Sequence, residues 1–131
     1  MLLKEELIKL SVEKAEDALL VAKDNIKMGH LGTAQNRIYY AIFYVVSALA
    51  YKNNFSTSKH KQLMGWFNKT FIHDKKVFDE KIIKIYKDSF TNRQKSDYEF
   101  TFMTDKESME KELEKAMFFV DTVKEYIETG G

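Results

Sequence analysis

The sequence predicts an all-α fold, an up-and-down bundle of four main helices plus a shorter helix. Three observations carry that prediction. Apolar residues recur at three- and four-residue spacing through most of the chain, with Lys and Glu between them. No segment alternates polar and apolar residues cleanly between turn residues, as a half-buried strand would. The chain holds no proline, so no helix is interrupted by a ring that lacks an N–H.

In chain order, Leu3, Leu7, Leu10, Ala15, Leu19, Ala22 and Ile26 mark one face of an amphipathic helix running from about Leu3 to Met28. Gly29 and Gly32 are expected to form its exit, since glycine tolerates the left-handed conformation that ends helices. A second helix should span about Thr33 to Lys52. Between Ile38 and Tyr51 only Ser47 interrupts its apolar run. A helix apolar on nearly every side belongs at the centre of a bundle or also faces a second subunit. Residues 53–58 (NNFSTS) read as a loop, with Ser58 capping a third helix that extends to about Phe71. Asp74 is expected to cap a fourth, carrying Val77, Phe78, Ile82, Ile85 and Tyr86. Thr104, Asp105, Lys106 and Glu107 fit a capping box, in which threonine and glutamate each satisfy an orphan backbone donor. Beyond it Met109, Leu113, Ala116, Val120, Val123 and Ile127 form the seam of a final bundle helix. With no linker or repeat in view, a single domain is expected over 1–131.

Composition narrows the function classes. The absence of cysteine excludes disulfide frameworks, thiolate metal sites and cysteine nucleophiles. At 44% hydrophobic and 31% charged, the chain is too apolar for a disordered tail. Its longest apolar run is shorter than the ~20 residues a membrane span needs. Near the start, Lys4, Glu5, Glu6 and Lys9 break up the leucines, unlike the apolar core of a signal peptide. A cytoplasmic domain with no membrane association is expected. His30, His60 and His73 show no metal-ligand spacing. Ser47, Ser56 and Ser58 lack a hydrolase elbow, and no glycine loop cradles phosphate. Neither a metal nor a cofactor is expected.

The net charge of +1 conceals an asymmetry. Residues 29–73 hold Arg37, Lys52, Lys59, Lys61 and Lys69 with no acidic residue, whereas residues 99–131 hold four basic against nine acidic. A basic segment interleaved with Tyr39, Tyr40, Phe43, Tyr44, Tyr51, Phe55, Trp66 and Phe67 has the makings of a surface for phosphates and bases. The other reading makes the aromatics core and the lysines a solvated rim. Arg37 is the most pointed residue, because it opens the most apolar helix, where an unpaired charge is expensive. Tyr44 lies seven residues on, almost on the same face. Arginine beside two phenolic hydroxyls fits a clamp on phosphate or carboxylate. An internal salt bridge, with Asp97 as partner, fits equally.

The stretch from Asn36 to Tyr44 (NRIYYAIFY) resembles the signature of small stand-alone HEPN-domain proteins. Two further stretches agree. Ser58, Lys59, His60 and Lys61, with Phe67 after them, look like the opening of the family's next helix. Arg93, followed by Asp97 and Tyr98, looks like the arginine and Asp-Tyr pair that close the helix after that. The resemblance implies a four- to five-helix bundle that dimerises, with a polar cleft near the dimer axis. It further implies RNA or nucleotide as ligand, and for many members metal-independent ribonuclease activity as a toxin paired with a small nucleotidyltransferase. By that resemblance Arg37 would clamp phosphate, and Tyr40 and Tyr44 would donate or stack. His60 with Lys61 would make a second basic contact, and Asp97 would orient Arg37 or Arg93.

The ribonuclease members carry a histidine a few residues beyond the arginine. Here six residues follow Arg37 and then Tyr44 stands in that place. An ordinary histidine exchanges protons near neutrality and an ordinary tyrosine does not. The departure therefore weakens catalysis more than binding, unless His60 supplies the missing group. A different class of function, a non-catalytic module that binds a partner protein, is equally consistent with the acidic last helix and its seam.

Overall fold

The computed structural model describes residues 3–98 and 103–130. Every regular element among them is helical: α1 (Lys4–Lys27), α2 (Leu31–Lys52), α3 (His60–Phe67), α4 (Glu80–Tyr98) and α5 (Lys106–Glu125). Helix α3 runs on as a π-helical segment over Asn68–Asp74, and α5 as another over Tyr126–Gly130. The four long helices and the short one predicted from periodicity are all present. Among the described residues no helix is long and apolar enough to cross a membrane.

The near-complete apolarity of α2 is accounted for within one chain, because α1, α3, α4 and α5 all pack against it. Ile38, Tyr39, Ala41, Ile42, Val45, Val46, Ala48 and Leu49 are each at most 1% exposed. Helix α1 contributes Ala15, Ala18 and Ala22 to the core, small side chains that let neighbouring helices approach closely. Only one side of α2 is left half-buried, the side bearing Asn36, Arg37, Tyr40, Phe43, Tyr44, Ser47 and Tyr51. Farther along, Phe67 ties three helices together, its ring lying 5.8 Å from Tyr86 of α4 and 5.7 Å from Phe119 of α5.

Several boundaries differ from those expected. Gly29 does end α1, at a φ of +79°, with His30 N–H donating to the Asn25 carbonyl at 2.8 Å. Gly32, however, lies inside α2. Asp74 closes the segment after α3 rather than opening α4. That start belongs to Asp79, whose carboxylate accepts from Lys81 N–H at 3.0 Å. Ser58 is not the cap of α3 either; Lys59 holds the N-cap position, and its N–H donates to the Thr57 hydroxyl at 3.1 Å. At α5 the capping residue is Asp105, accepting from Ser108 N–H at 2.7 Å. The Thr104 box is thus replaced by a cap one residue later. At α5 the miss comes from two neighbouring residues of like capping chemistry; at α4 the helix begins one turn and more beyond the first aspartate, because the π-helical segment prolongs α3 through Asp74.

Two comparisons follow from this packing. Phe119→Ala should lose about 3–5 kcal/mol in urea unfolding, whereas Phe118→Ala, half exposed, should stay within about 0.5 kcal/mol. Asp105→Ala should lower the unfolding midpoint more than Thr104→Ala does; the reverse order would reinstate the threonine cap.

Candidate functional site

Three elements converge on the half-buried side of α2. Helix α2 supplies Asn36, Arg37, Tyr39, Tyr40, Phe43 and Tyr44, the first residue of α3 is His60, and the last turns of α4 bring Arg93 and Asp97. Tyr40 is the hub. Its ring centre lies 5.0 Å from the Arg37 guanidinium carbon, 5.6 Å from that of Arg93 and 5.7 Å from the His60 ring. Two cations against one aromatic ring gain from its negative face while keeping their N–H groups available.

The two arginines differ in state. Arg93 has a side chain only 18% exposed and sits 2.9 Å from the Asp97 carboxylate, with its guanidinium also 5.4 Å from the Tyr39 ring centre. The carboxylate lies off the N–H axis, so Nε of Arg93 has an ion-pair partner but no aligned hydrogen bond. Arg37 spends Nε and one Nη2 hydrogen on the same acceptor, Asn36 Oδ1, at 3.1 and 2.8 Å. Among the described residues it meets no carboxylate. The salt bridge from Asp97 considered for Arg37 is therefore made to Arg93 instead, four residues earlier on the same helix. Three guanidinium N–H groups of Arg37 are left for a ligand.

His60 is fixed from below. Its Nδ1 lies 2.8 Å from the Tyr39 hydroxyl, and its ring stacks on Phe43 at 4.3 Å between centres. Tyr39 is fully buried, and that burial, opposed by Arg93 and reinforced by Tyr40, raises its hydroxyl far above the ordinary tyrosine value. It stays protonated and able to donate or accept. His60 itself is pushed below its ordinary value of 6.5, first by burial and then by the Arg93 charge. A neutral imidazole results. When the tyrosine donates to Nδ1, the other nitrogen carries a hydrogen; when Nδ1–H donates to the tyrosine, the other nitrogen is free to accept one.

Not every candidate joins this cluster. Tyr44 lies in the same row as Arg37 and Tyr40, its ring 5.7 Å from Tyr40 and 5.7 Å from the Lys14 ammonium of α1. Lys61 is exposed on α3 beside His60. Tyr98, at the last position of α4, is 77% exposed and shares none of the ring contacts around Tyr40. Conversely, Tyr39 is the residue that sequence reasoning left among the core aromatics. Its burial is legible from the helix period; its bond to His60 is not, because it crosses twenty-one positions of sequence. Among the described residues no three His, Asp or Glu side chains gather to hold a metal ion.

A sequence model of the HEPN domain matches residues 8–126. A UPF0332 protein of Thermotoga maritima is 35% identical, over 95% of this chain and 94% of its own. Two proteins of Methanocaldococcus jannaschii are similar in the same way. One, named "Putative toxin MJ0142", is 32% identical over 95% of this chain and 83% of its own length. The other, named "Putative toxin MJ0605", is 31% identical over 91% and 87%.

The environment of His60 predicts its titration. Its depressed value means that protonation opposes the fold: the stabilising effect of the neutral form is complete above the unfolded value of 6.5 and is lost as pH falls through the folded one. The His60 resonance should titrate below 6.5 in NMR, and Arg93→Gln should move it part of the way back, leaving the desolvation share. A midpoint above 6.5 in the native chain would contradict this picture.

Proposed function

The chain belongs to the HEPN-domain family, and from that premise we propose that the cluster around Arg37 and His60 binds RNA, in a toxin-like protein that works with a small nucleotidyltransferase partner. One observation carries the reading: a ring, Tyr40, has two guanidinium groups and a neutral imidazole against it. Arg37, with free N–H groups, takes the phosphate. Arg93, neutralised and anchored by Asp97, holds Tyr39 and Tyr40 in place. Tyr40 and Tyr44 provide half-exposed faces for base stacking, a contact that tolerates any sequence. Lys61 adds charge at the rim, and Tyr98 extends the surface only if RNA follows α4 beyond the cluster.

In this reading binding outlasts chemistry. Cleavage through the 2′-hydroxyl requires one group to take its proton and another to protonate the leaving oxygen. His60 is held in the form that accepts a proton, and Tyr44 stands where a second exchanger would be. Loss of a positioned acid–base group costs on the order of 10²–10⁴ in rate. The chain is also read as a homodimer, through a different surface. Leu3, Leu10, Val21 and Met28 are all at least 41% exposed and fall on one line along α1 and its two flanking residues, interleaved with Lys14, Asp17 and Asp24, a mixed apolar and charged face suited to a second copy.

Single-stranded RNA should be retained at low salt and released as salt rises, and Arg37→Ala should abolish retention with the helical spectrum unchanged. Indifference to RNA at low salt would leave the partner-protein reading in its place. On RNA without metal, Tyr44→His should cleave faster than the native chain, by roughly 10²-fold or more; equal rapid cleavage by both would show that Tyr44 is no handicap. Sedimentation at micromolar concentration should give a dimer, and Val21→Glu a monomer.

A further inference from the structure

His60 sits among cations and, among the described residues, has no counter-charge. It opens α3, so its ring lies at the positive end of that helix, which no side chain caps. Lys59 and Lys61 flank it in sequence, both exposed. From α4 comes Arg93, whose guanidinium lies against the Tyr39 and Tyr40 rings that His60 also touches. From α2 comes Arg37, on the Tyr40 ring. The acid that reaches this cluster, Asp97, is engaged with Arg93. The free imidazole is neutral in these surroundings, through burial first and the Arg93 charge second.

Its inner nitrogen nevertheless has a partner suited to either charge state. The Tyr39 hydroxyl, 2.8 Å from Nδ1, donates to a bare ring nitrogen and accepts from a protonated one. Tyr39 is fully buried and its hydroxyl is held far above the ordinary tyrosine value, so it answers His60 by hydrogen bonding and not by ionising. Phe43, stacked on the imidazole at 4.3 Å, and Tyr40, edge to face at 5.7 Å, hold the ring in one place. Aromatic faces favour a cationic partner over a neutral one. What an imidazolium lacks here is a negative charge nearby, and Arg37 keeps guanidinium N–H groups free to bring one in.

Resting on the RNA-binding reading for the anion at Arg37, we propose that His60 takes up one proton from solvent when that anion binds, with Tyr39 as its positioning residue. The Tyr39 hydroxyl accepts from Nδ1–H, and the imidazolium joins Arg37 in facing the anion. Occupancy of the site is thus linked to a proton. The linkage is reciprocal: the factor by which the anion favours the protonated ring is the factor by which acid favours the anion.

Sulfate on the full chain provides the test, because its charge stays constant across the range in which histidine titrates. Followed by NMR near neutrality, the His60 ring nitrogens should move saturably toward imidazolium positions as sulfate is added. At saturation the His60 midpoint should stand about one pH unit or more above that of the free chain. Sulfate should bind about tenfold more tightly below the His60 midpoint than well above it. His60→Gln should lose that acid gain, and Tyr39→Phe should lose most of it. Arg37→Ala should leave His60 unmoved by sulfate.

Four results would overturn the proposal: no saturable response to sulfate, sulfate bound with His60 still neutral, an acid gain that survives in His60→Gln, or one undiminished in Tyr39→Phe. His60 is half-buried, so its variant decides the linkage even if Tyr39→Phe fails to fold. RNA retention at low salt is measured on the same chain. Retention alongside any of these four results removes the proton linkage alone, whereas loss of retention removes the RNA reading itself.

Discussion

The burial of α2 is the constraint on which the rest of the molecule depends. Ten of its side chains are at most 1% exposed, and covering them takes all four other helices. A helix surrounded in this way leaves little surface for anything else. What remains is one half-buried side, and there the chain places arginine, asparagine and tyrosine. A charged group next to so much apolar surface is tolerable only if its N–H groups stay wet or paired. Asn36 and the Tyr40 ring provide that setting for Arg37 without neutralising it. Packing and the candidate site are therefore one arrangement seen from two sides of the same helix.

The aromatic cluster then fixes how distant parts of the chain meet. Tyr39 is a core residue by burial, yet its hydroxyl reaches His60 and its ring lies under Arg93. One side chain connects α2 to the start of α3 and the end of α4. The Asp97 carboxylate has a second consequence. By pairing with Arg93 within α4, it leaves Arg37 as the unneutralised guanidinium of the cluster. Had the ion pair crossed to α2, the free guanidinium would be Arg93, whose side chain is only 18% exposed and so less open to an anion.

The periodicity of α1, α2 and α5 made the fold class and the helix count legible, since those patterns are local and each apolar face must be buried. Caps were less legible because Thr104 beside Asp105, and Ser58 beside Thr57, offer the same chemistry one residue apart. The two π-helical extensions left no trace in sequence, because Phe71-Ile72 and Tyr126-Ile127 suit an ordinary helical turn as well as a loosened one. In the site, Arg37, Tyr40 and Tyr44 were readable because they share a helix face. The assignment of Asp97 to Arg93 also followed a local rule, the four-residue helical spacing, although the sequence alone left Arg37 open as its partner. The pairing of Tyr39 with His60 was not readable at all. It depends on side chains from different helices, and nothing in one sequence reports which helix lies beside which.

The geometry also sharpens what a tyrosine at position 44 means. Tyr44 and His60 both lie beside Tyr40 and Phe43, but they do not stack on each other. His60 comes from another helix and is tied to Tyr39 beneath it, while Tyr44 leans toward Lys14 of α1. His60 is therefore not a displaced copy of a histidine at position 44; it flanks the same two rings from a different direction. A phosphate held by Arg37 would meet a proton acceptor on one side and a hydrogen-bond donor with a stacking face on the other. On the RNA-binding reading proposed above, such a site would orient the ligand while offering only one of the two proton exchangers that cleavage needs, so affinity and rate would rest on different residues.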